Sequence, residues 1–425
     1  MATAPADLIE DELAFIYGQL GKPVPALSGD LDPADEKLVH LASGVILLAI
    51  TQRASDIHLE PLRDAGVVRI RIDGVLHEVR RMPVHVFRGL LLRVKLMAAL
   101  NLDVTGVPQD GRIRLNVLQR EFDLRVSVIP TVFGESAVMR ILDQDTVLLG
   151  LEKLGMTADG EARLRQLLAK PNGLFIATGP TGSGRTTTLY SCLLTMPADA
   201  TKILTIEDPV EYLLPGIVQT GVNARNNFTF AVALRAFLRQ DPDTILIGEL
   251  RDRDTLLVAI QAALTGHLVL TTLHTNSATD ALTRLVDIGA ESFLVASSVA
   301  GVIAQRLIRQ LCPACKTPVT LPAAALGDIR ARAAAGGYAL PEKVTFQQAV
   351  GCDQCAGRGY RGRVGLFELL EMTPAVREAF LAHAPKDEIV ALAVKDGMRT
   401  LFADGMRKAA EGITTVEEVM RVAAN

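Results

Sequence analysis

Gly179-Pro180-Thr181-Gly182-Ser183-Gly184-Arg185-Thr186 is the stretch whose reading decides the fold. A glycine, four residues, a glycine, a basic residue and a hydroxyl stand in the spacing of a phosphate-binding loop. The apolar run Leu174-Phe175-Ile176-Ala177 precedes it and reads as a buried strand. Thr187-Thr188-Leu189-Tyr190-Ser191-Cys192-Leu193-Leu194 follows and can start a helix. Strand, glycine-rich loop and helix N-terminus are the context that the loop needs. Its backbone N–H groups would cradle phosphates, and the helix dipole would add positive potential. Gly179, Pro180, Thr181, Gly182, Ser183, Gly184, Arg185, Thr186 and Thr187 are therefore the expected nucleotide contacts, with the Thr186 hydroxyl on Mg²⁺. Arg185 stands where the pattern asks for lysine. Arginine keeps the charge, but it is planar, bulkier and a different hydrogen-bond donor. The nearest lysines, Lys170 and Lys202, are too far along the chain to substitute by a slip of register.

Length and composition frame this loop. A chain of 425 residues with 49% hydrophobic residues has room for two or three domains with sizeable cores. Its formal net charge of −4 and aromatic content of 4% supply neither a basic field nor stacking platforms for nucleic acid. No apolar run reaches the roughly 18 residues of a membrane span. The N-terminus lacks a basic region followed by an apolar core, so no signal peptide is expected, and a cytoplasmic protein is.

Residues 1 to about 35 are polar and punctuated by Pro23, Pro25, Gly29 and Pro33, and read as a short helix plus linker. Residues 36–147 combine a helix near Asp35 to Gln52, a second from Val84 to about Leu100, and six strand-like runs, the pattern of a smaller α+β domain. From 148 to 425 the fold class is α/β: strands at Gly173–Thr178, Ile203–Ile206, Thr244–Gly248 and His267–Thr272 alternate with helices at Thr186–Thr195, Thr229–Arg239, Asp252–Leu264 and Thr279–Ile288. Such alternation implies a parallel sheet with helices on its faces. Within this part, 306–362 is expected to be a zinc-binding segment and 363–425 a helical C-terminal region.

Further constellations carry chemistry. Thr205-Ile206-Glu207-Asp208-Pro209-Val210-Glu211-Tyr212 ends an apolar strand in carboxylates, and Glu207 could orient or deprotonate an attacking water. Thr244-Ile245-Leu246-Ile247-Gly248-Glu249 does the same, with Glu249 suited to Mg²⁺ or its bound water. His267 and His274, two of seven histidines, flank one short strand. His274 lies at the C-terminal end, where a γ-phosphate would be met, whereas His267 reads as structural. Cys312-Pro313-Ala314-Cys315 and Cys352-Asp353-Gln354-Cys355 form two CxxC pairs, the spacing of a four-thiolate zinc site. Four thiolates leave no open position, so the site is read as structural. The fifth cysteine, Cys192, reads as a buried small side chain.

Together these residues resemble the secretion ATPases of type II secretion and type IV pilus assembly. The likeness runs from about Asp56 to the C-terminus. It is carried by Ser55-Asp56-Ile57-His58-Leu59-Glu60-Pro61, Pro108-Gln109-Asp110-Gly111-Arg112, the phosphate loop, the acidic box at Glu207–Glu211, Leu238-Arg239-Gln240-Asp241-Pro242-Asp243, Gly248-Glu249-Leu250-Arg251-Asp252 and the histidine box. The resemblance implies a RecA-like phosphate-loop NTPase domain, a smaller PAS-like N-terminal domain, and ATP bound between them in a homo-hexamer. It places Glu207 on the acidic-box carboxylate linked to water activation, Glu249 on the glutamate that handles Mg²⁺ or water, and His274 on the γ-phosphate-sensing histidine. It also places Arg112 and Arg125 of the smaller domain, and Arg235 and Arg239 of the core, among arginines that reach nucleotide phosphates. The cysteine pairs are typical of the assembly and secretion branch. The implied partners are an inner-membrane platform protein and a membrane-anchoring protein, which would hold the ATPase peripherally at the membrane.

Three departures accompany the resemblance. Arg185 replaces the family's lysine, and Asn226-Asn227-Phe228 stands where a glycine is usual. The region before Asp56 is short, so most of an extra anchoring domain is expected to be missing. The leading expectation is a motor for pseudopilus assembly. Alternatives are a type IV pilus assembly ATPase, a nucleotide-binding subunit that hydrolyses weakly because of Arg185, and a DNA-translocating ATPase, which the acidic balance and cysteine pairs disfavour.

Overall fold

The computed structural model describes residues 5–25, 33–117, 119–143 and 150–423. The chain divides into two compact units, Met1–Val147 and Leu148–Asn425. The expected linker residues 26–32 and the expected boundary at 147 and 148 lie outside the described residues.

The first unit contains α1 (Pro5–Gln19), α2 (Pro33–Thr51), β1 (Asp56–Pro61), β2 (Gly66–Ile72), β3 (Val75–Met82), α3 (Val84–Met97), β4 (Gln109–Val117), β5 (Arg120–Thr131) and β6 (Gly134–Asp143). Its six strands form one antiparallel sheet in the order β3-β2-β1-β6-β5-β4. Alternating apolar residues of the strands, among them Ile57, Leu59, Val68, Ile70, Leu124 and Val126, are buried with one face of each helix. The sequence reading set residues 1–35 apart as a segment and linker. Instead, Ile9, Leu13, Ile16 and Tyr17 of α1 are buried in the same core as α2. Four apolar side chains spaced by three or four residues make one helical face, and burying it outweighs the polar surroundings.

The second unit opens with α4 (Ala158–Leu168), followed by β7 (Gly173–Thr178), α5 (Arg185–Leu193), β8 (Ile203–Glu207), β9 (Val218–Gly221), α6 (Phe230–Phe237), β10 (Thr244–Ile247), α7 (Arg253–Leu264), β11 (Leu268–Leu273), α8 (Ala278–Ile288) and α9 (Ser292–Ser298). Then come β12 (Val299–Leu311), β13 (Thr317–Val319), α10 (Ala323–Ala335), β14 (Phe346–Gln348), β15 (Tyr360–Glu371), α11 (Pro374–Leu381), α12 (Lys386–Lys395), α13 (Leu401–Ala410) and α14 (Val416–Ala423). The main sheet has the order β15-β12-β7-β11-β10-β8-β9, and only β15 runs antiparallel to its neighbour. Every residue of β7, β8, β10 and β11 is buried. That is why these strands are continuous apolar runs rather than alternating ones: helices cover both faces of the parallel sheet.

The expected α/β alternation is present, with small shifts at the helix starts. Thr229 and Asp252, expected as first helical residues, are each an extended cap whose side chain accepts the N–H three residues on, at Val232 and Thr255. The C-terminal reading needs a larger correction. Residues 363–371 are not helical; they belong to β15, paired with β12 from Gly301↔Glu371 to Leu311↔Tyr360. The cysteine excursion therefore spans only the chain between these two paired strands, not 306–362. Pairing partners about sixty residues apart in sequence leave no local signature, so period and propensity alone cannot reveal them.

Glu368 of β15 ties this part together. Its fully buried carboxylate accepts the N–H of Ala278 at 2.8 Å and of Leu401 at 3.2 Å, the first residues of α8 and α13. Glu368→Ala strands both buried donors and is expected to cost roughly 2–5 kcal/mol, read as a lower urea midpoint with native-like secondary structure. An unchanged midpoint would mean that the two helix ends are satisfied without it.

Candidate nucleotide site

The order of the main sheet reverses at β7, where strand succession runs one way through β11, β10 and β8 and the other way through β12. Ligands of such sheets bind beyond the carboxyl ends of the strands at the reversal. The glycine-rich loop lies there, between β7 and α5. Gly179, Gly182 and Gly184 all have positive φ, at 153°, 79° and 91°. A Cβ on Gly179 would meet the Gln305 carbonyl oxygen and Ser183 Oγ at 2.5 Å, whereas nothing lies within 4 Å of the same position on Gly182. The loop is thus tight against the sheet and open on its outer side. Ser183 Oγ is buried with no hydrogen-bond partner, an orphaned polar atom inside the loop that a bound phosphate group would satisfy. Thr186 is exposed on the first turn of α5, free to offer its hydroxyl to a metal ion.

β12 supplies a support that reading the sequence missed. Gln305, 2% exposed, accepts from Thr188 Oγ1 at 2.6 Å, and its amide crowds the Cβ position of Gly184. The neighbouring Arg306 donates to the Asn276 carbonyl oxygen at 2.9 Å, beside the histidine box. The apolar run Val299-Ala300-Gly301-Val302-Ile303-Ala304 was the available signal for this strand.

Carboxylates and a histidine come from the ends of β10 and β11. Glu249 pairs with Arg251 at 2.5 Å and lies 3.5 Å from His274 Nε2. Arg185 donates to the Leu273 carbonyl oxygen at 2.6 Å and feels the charge of Glu249. Partial burial and the Arg185 guanidinium hold the His274 imidazole below its ordinary value, against the pull of Glu249, so it is neutral at neutral pH. Thr178, the last residue of β7, is bonded to Thr275 through its hydroxyl at 2.7 Å, which ties the histidine box to the root of the loop. Arg185, Glu249 and His274 are therefore gathered in one place. His267 sits at the opposite end of β11 with Nδ1 3.0 Å from the Ala262 carbonyl oxygen, a structural contact.

Glu207, expected to orient or deprotonate an attacking water, is buried at the end of β8. It is 4% exposed, and its carboxylate is held by Tyr190 Oη, by Thr205 Oγ1 at 2.7 Å and by Gln219 Nε2 at 3.2 Å. Three donors on a buried carboxylate make it an anchor of the acidic box in this arrangement; Glu249, only partly buried, is the carboxylate beside Arg185 and His274.

Arg235 is exposed on α6, and Arg239 follows that helix, donating to the Arg235 carbonyl oxygen at 2.9 Å. In the first unit, register places Arg112 opposite Arg125, Arg125 opposite Arg140, Arg140 opposite Asp56, and Asp56 opposite Arg71. Four arginines and one aspartate thus share a single row across the sheet. Asp56 pairs with Arg140 at 3.1 Å and with Arg71 at 3.6 Å, so the row is partly neutralised and keeps a net positive charge. Arg140 and Arg71 were not singled out from sequence; only strand register aligns them with Arg112 and Arg125.

The cysteine pairs converge. The excursion folds back through β13 paired with β14, and all four Sγ atoms lie within 4.8 Å of one another. Cys312–Cys352, Cys315–Cys355 and Cys352–Cys355 are 3.9, 3.8 and 3.8 Å apart. Zinc at about 2.3 Å from four sulfurs sets them about 3.8 Å apart, so the donor set fits a tetrahedral ion. Although desolvation opposes it, backbone N–H donors from Cys352 and Gly359 hold the Cys355 thiol below its ordinary value. Cys192 is fully buried, and burial raises its thiol well above the ordinary value.

A glycine-rich loop at the switch point of a parallel sheet, with the strand-end carboxylate Glu249 beside its Arg185, defines a phosphate-loop ATPase. The chain belongs to the family described as type II/IV secretion system protein, which matches residues 33–421. It is 47% identical over 388 residues to "Type II secretion system protein E" of Pseudomonas aeruginosa, covering 91% of this chain and 76% of that one. It is 43% identical over 420 residues to "Type IV pilus assembly ATPase PilB" of Myxococcus xanthus, covering 96% and 73%. Among solved structures, the Legionella pneumophila ATPase DotB shares the fold, with a TM-score of 0.65 at 20% identity over 94% of this chain and 98% of that one. The pilus retraction motor PilT with bound ADP gives 0.58 at 25% identity over 93% and 98%. No described helix is long and apolar enough to cross a membrane.

The cysteine geometry predicts about one zinc ion per chain, released by a thiol-modifying reagent. Cys352→Ser should lower both zinc content and the melting midpoint of the protein. Metal-free protein that melts at the same temperature would argue against a structural zinc site.

Proposed function

We propose that this chain is an ATP-hydrolysing motor that works as a ring of six and energises type II secretion, through pseudopilus assembly at the inner membrane. The observation that carries the reading is the loop at residues 179–186, with its orphaned Ser183 hydroxyl, facing Glu249 and His274. Loop N–H groups and the α5 N-terminus bind the phosphates. A bound Mg²⁺ would offset the negative charge that develops on the phosphates; Thr186 and Glu249 are the residues suited to hold it or its water. Neutral His274 is a hydrogen-bonding partner for a γ-phosphate. The arginine stripe through Arg112 and Arg125, and Arg235 and Arg239 of the core, would supply further positive charge to the phosphates, some from neighbouring subunits. Bound zinc would be a structural cross-link that closes the excursion on Cys312, Cys315, Cys352 and Cys355. An inner-membrane platform protein and an anchoring protein are the proposed partners, holding the ATPase on the cytoplasmic side.

The name of the Pseudomonas relative supports type II secretion; the likeness to the Myxococcus pilus ATPase keeps pilus assembly as the second reading of the same motor. Arg185 favours one more alternative, a subunit that binds nucleotide and turns it over slowly, because its guanidinium is engaged by the Leu273 carbonyl oxygen.

Mg²⁺-dependent ATP turnover, measured at several protein concentrations, tests the reading. Wild-type turnover is expected, with kcat reduced on the order of 100-fold or more in Glu249→Gln. Arg185→Lys should remain active. Tight ATP binding without wild-type turnover, with turnover gained in Arg185→Lys, would replace the motor by the binding subunit.

A further inference from the structure

The main-sheet unit holds one buried side chain that touches both halves of the nucleotide machinery and that the proposed chemistry does not use. Tyr190 lies on α5, in the second turn after the phosphate loop, and its ring is fully buried. Its hydroxyl donates to Glu207 Oε2. The backbone N–H groups of Glu211 and Tyr212 donate to the same hydroxyl. The Tyr212 ring meets Tyr190 edge-on at 6.4 Å between centroids. One phenol thus bonds the carboxylate that begins the acidic box and the backbone that ends it. Burial and the Glu207 carboxylate hold the phenol far above its ordinary value, so it remains a donor at any working pH.

The other contacts of Glu207 show what this bond adds. Thr205 Oγ1 reaches Glu207 from two residues earlier on β8, and Gln219 Nε2 reaches it from the adjacent β9. Both belong to the edge of the sheet that carries the acidic box. Tyr190 alone among these donors comes from the helix whose N-terminus is the phosphate loop. It joins the acidic box to the loop's own helix directly, whereas the path along the sheet runs across β8, β10, β11 and β7.

We propose that Tyr190 is a positioning residue for ATP hydrolysis, bolting the acidic box to the phosphate-loop helix through the Glu207 carboxylate. This rests on the ATPase reading above. It acts through Glu207, so its effect falls on the rate of the bound complex rather than on nucleotide capture, to which the loop N–H groups contribute independently. Tyr190→Phe removes one oxygen and keeps the ring that fills the core. Thr205→Val, an isosteric change on a strand, removes a different donor to the same carboxylate and serves where Tyr190→Phe fails to fold.

The test is steady-state ATP turnover by the full chain, wild type beside Tyr190→Phe, Thr205→Val, Glu207→Gln and the double variant Tyr190→Phe/Glu207→Gln. In Tyr190→Phe, kcat should fall on the order of 10- to 100-fold while KM for ATP stays within about 2-fold. Thr205→Val should move kcat in the same direction. In the Glu207→Gln background, Tyr190→Phe should cost almost nothing more, since the bond it serves is already altered. Wild-type kcat in Tyr190→Phe, a loss that appears in KM, or losses that multiply in the double variant would each overturn the proposal while leaving the ATPase assignment intact. Absence of wild-type turnover would overturn the ATPase reading, and this inference with it.

Discussion

The nucleotide site stands on the hydrogen-bonded position of β7, held in parallel pairing by β11 on one side and by β12 on the other. A strand fixed on both edges cannot slide without turning every side chain to the wrong face. The loop that leaves its carboxyl end is therefore presented at a set height. β11, in register from Leu268↔Gly173 to Leu273↔Thr178, brings His274 alongside. β10, in register with β11, brings Glu249. β12 slides Gln305 beneath the loop and fills the space that glycine leaves at 179 and 184. The glycines serve two purposes: they permit the positive φ values, and they let the backbone approach the sheet so closely that no Cβ could fit.

Charge in the site is arranged around arginine. Arg185 replaces a point charge on a flexible stem with a planar fork, and the fork already has an acceptor in the Leu273 carbonyl oxygen. Its charge also helps keep His274 neutral and is balanced by Glu249, itself paired with Arg251. The same theme recurs in the first unit, where Asp56 pairs with Arg71 and Arg140 in a row that also holds Arg112 and Arg125. Burial sorts the carboxylates: Glu207, desolvated and triply bonded, fixes geometry, while Glu249 lies beside the basic groups of the site.

The C-terminal part works as a brace. β15 closes the sheet edge beside β12, and Glu368 from its middle binds the first residues of α8 and α13. The histidine box immediately precedes α8, so the same buried carboxylate that holds the C-terminal helices also holds the element beginning just after His274. The cysteine excursion leaves from one of these paired strands and returns to the other, and its four thiols converge within 4.8 Å of one another.

Much of this was legible in the sequence. The phosphate loop, the apolar runs of β7, β8, β10 and β11, the strand-end carboxylates and the CxxC spacing are local patterns, each set by residues within a few positions of one another. Sequence alone therefore determined the parallel α/β core, the order of its elements and the residue types of the site. Tertiary structure alone decided the partnership of β12 with β15, the support of the loop by Gln305, the alignment of Arg71 and Arg140 with Arg112 and Arg125, and the burial of Glu207 among three donors. The reason is physical: period and spacing report which face of an element is buried, but register and burial between elements distant in the chain are set by packing, which leaves no mark at any single position.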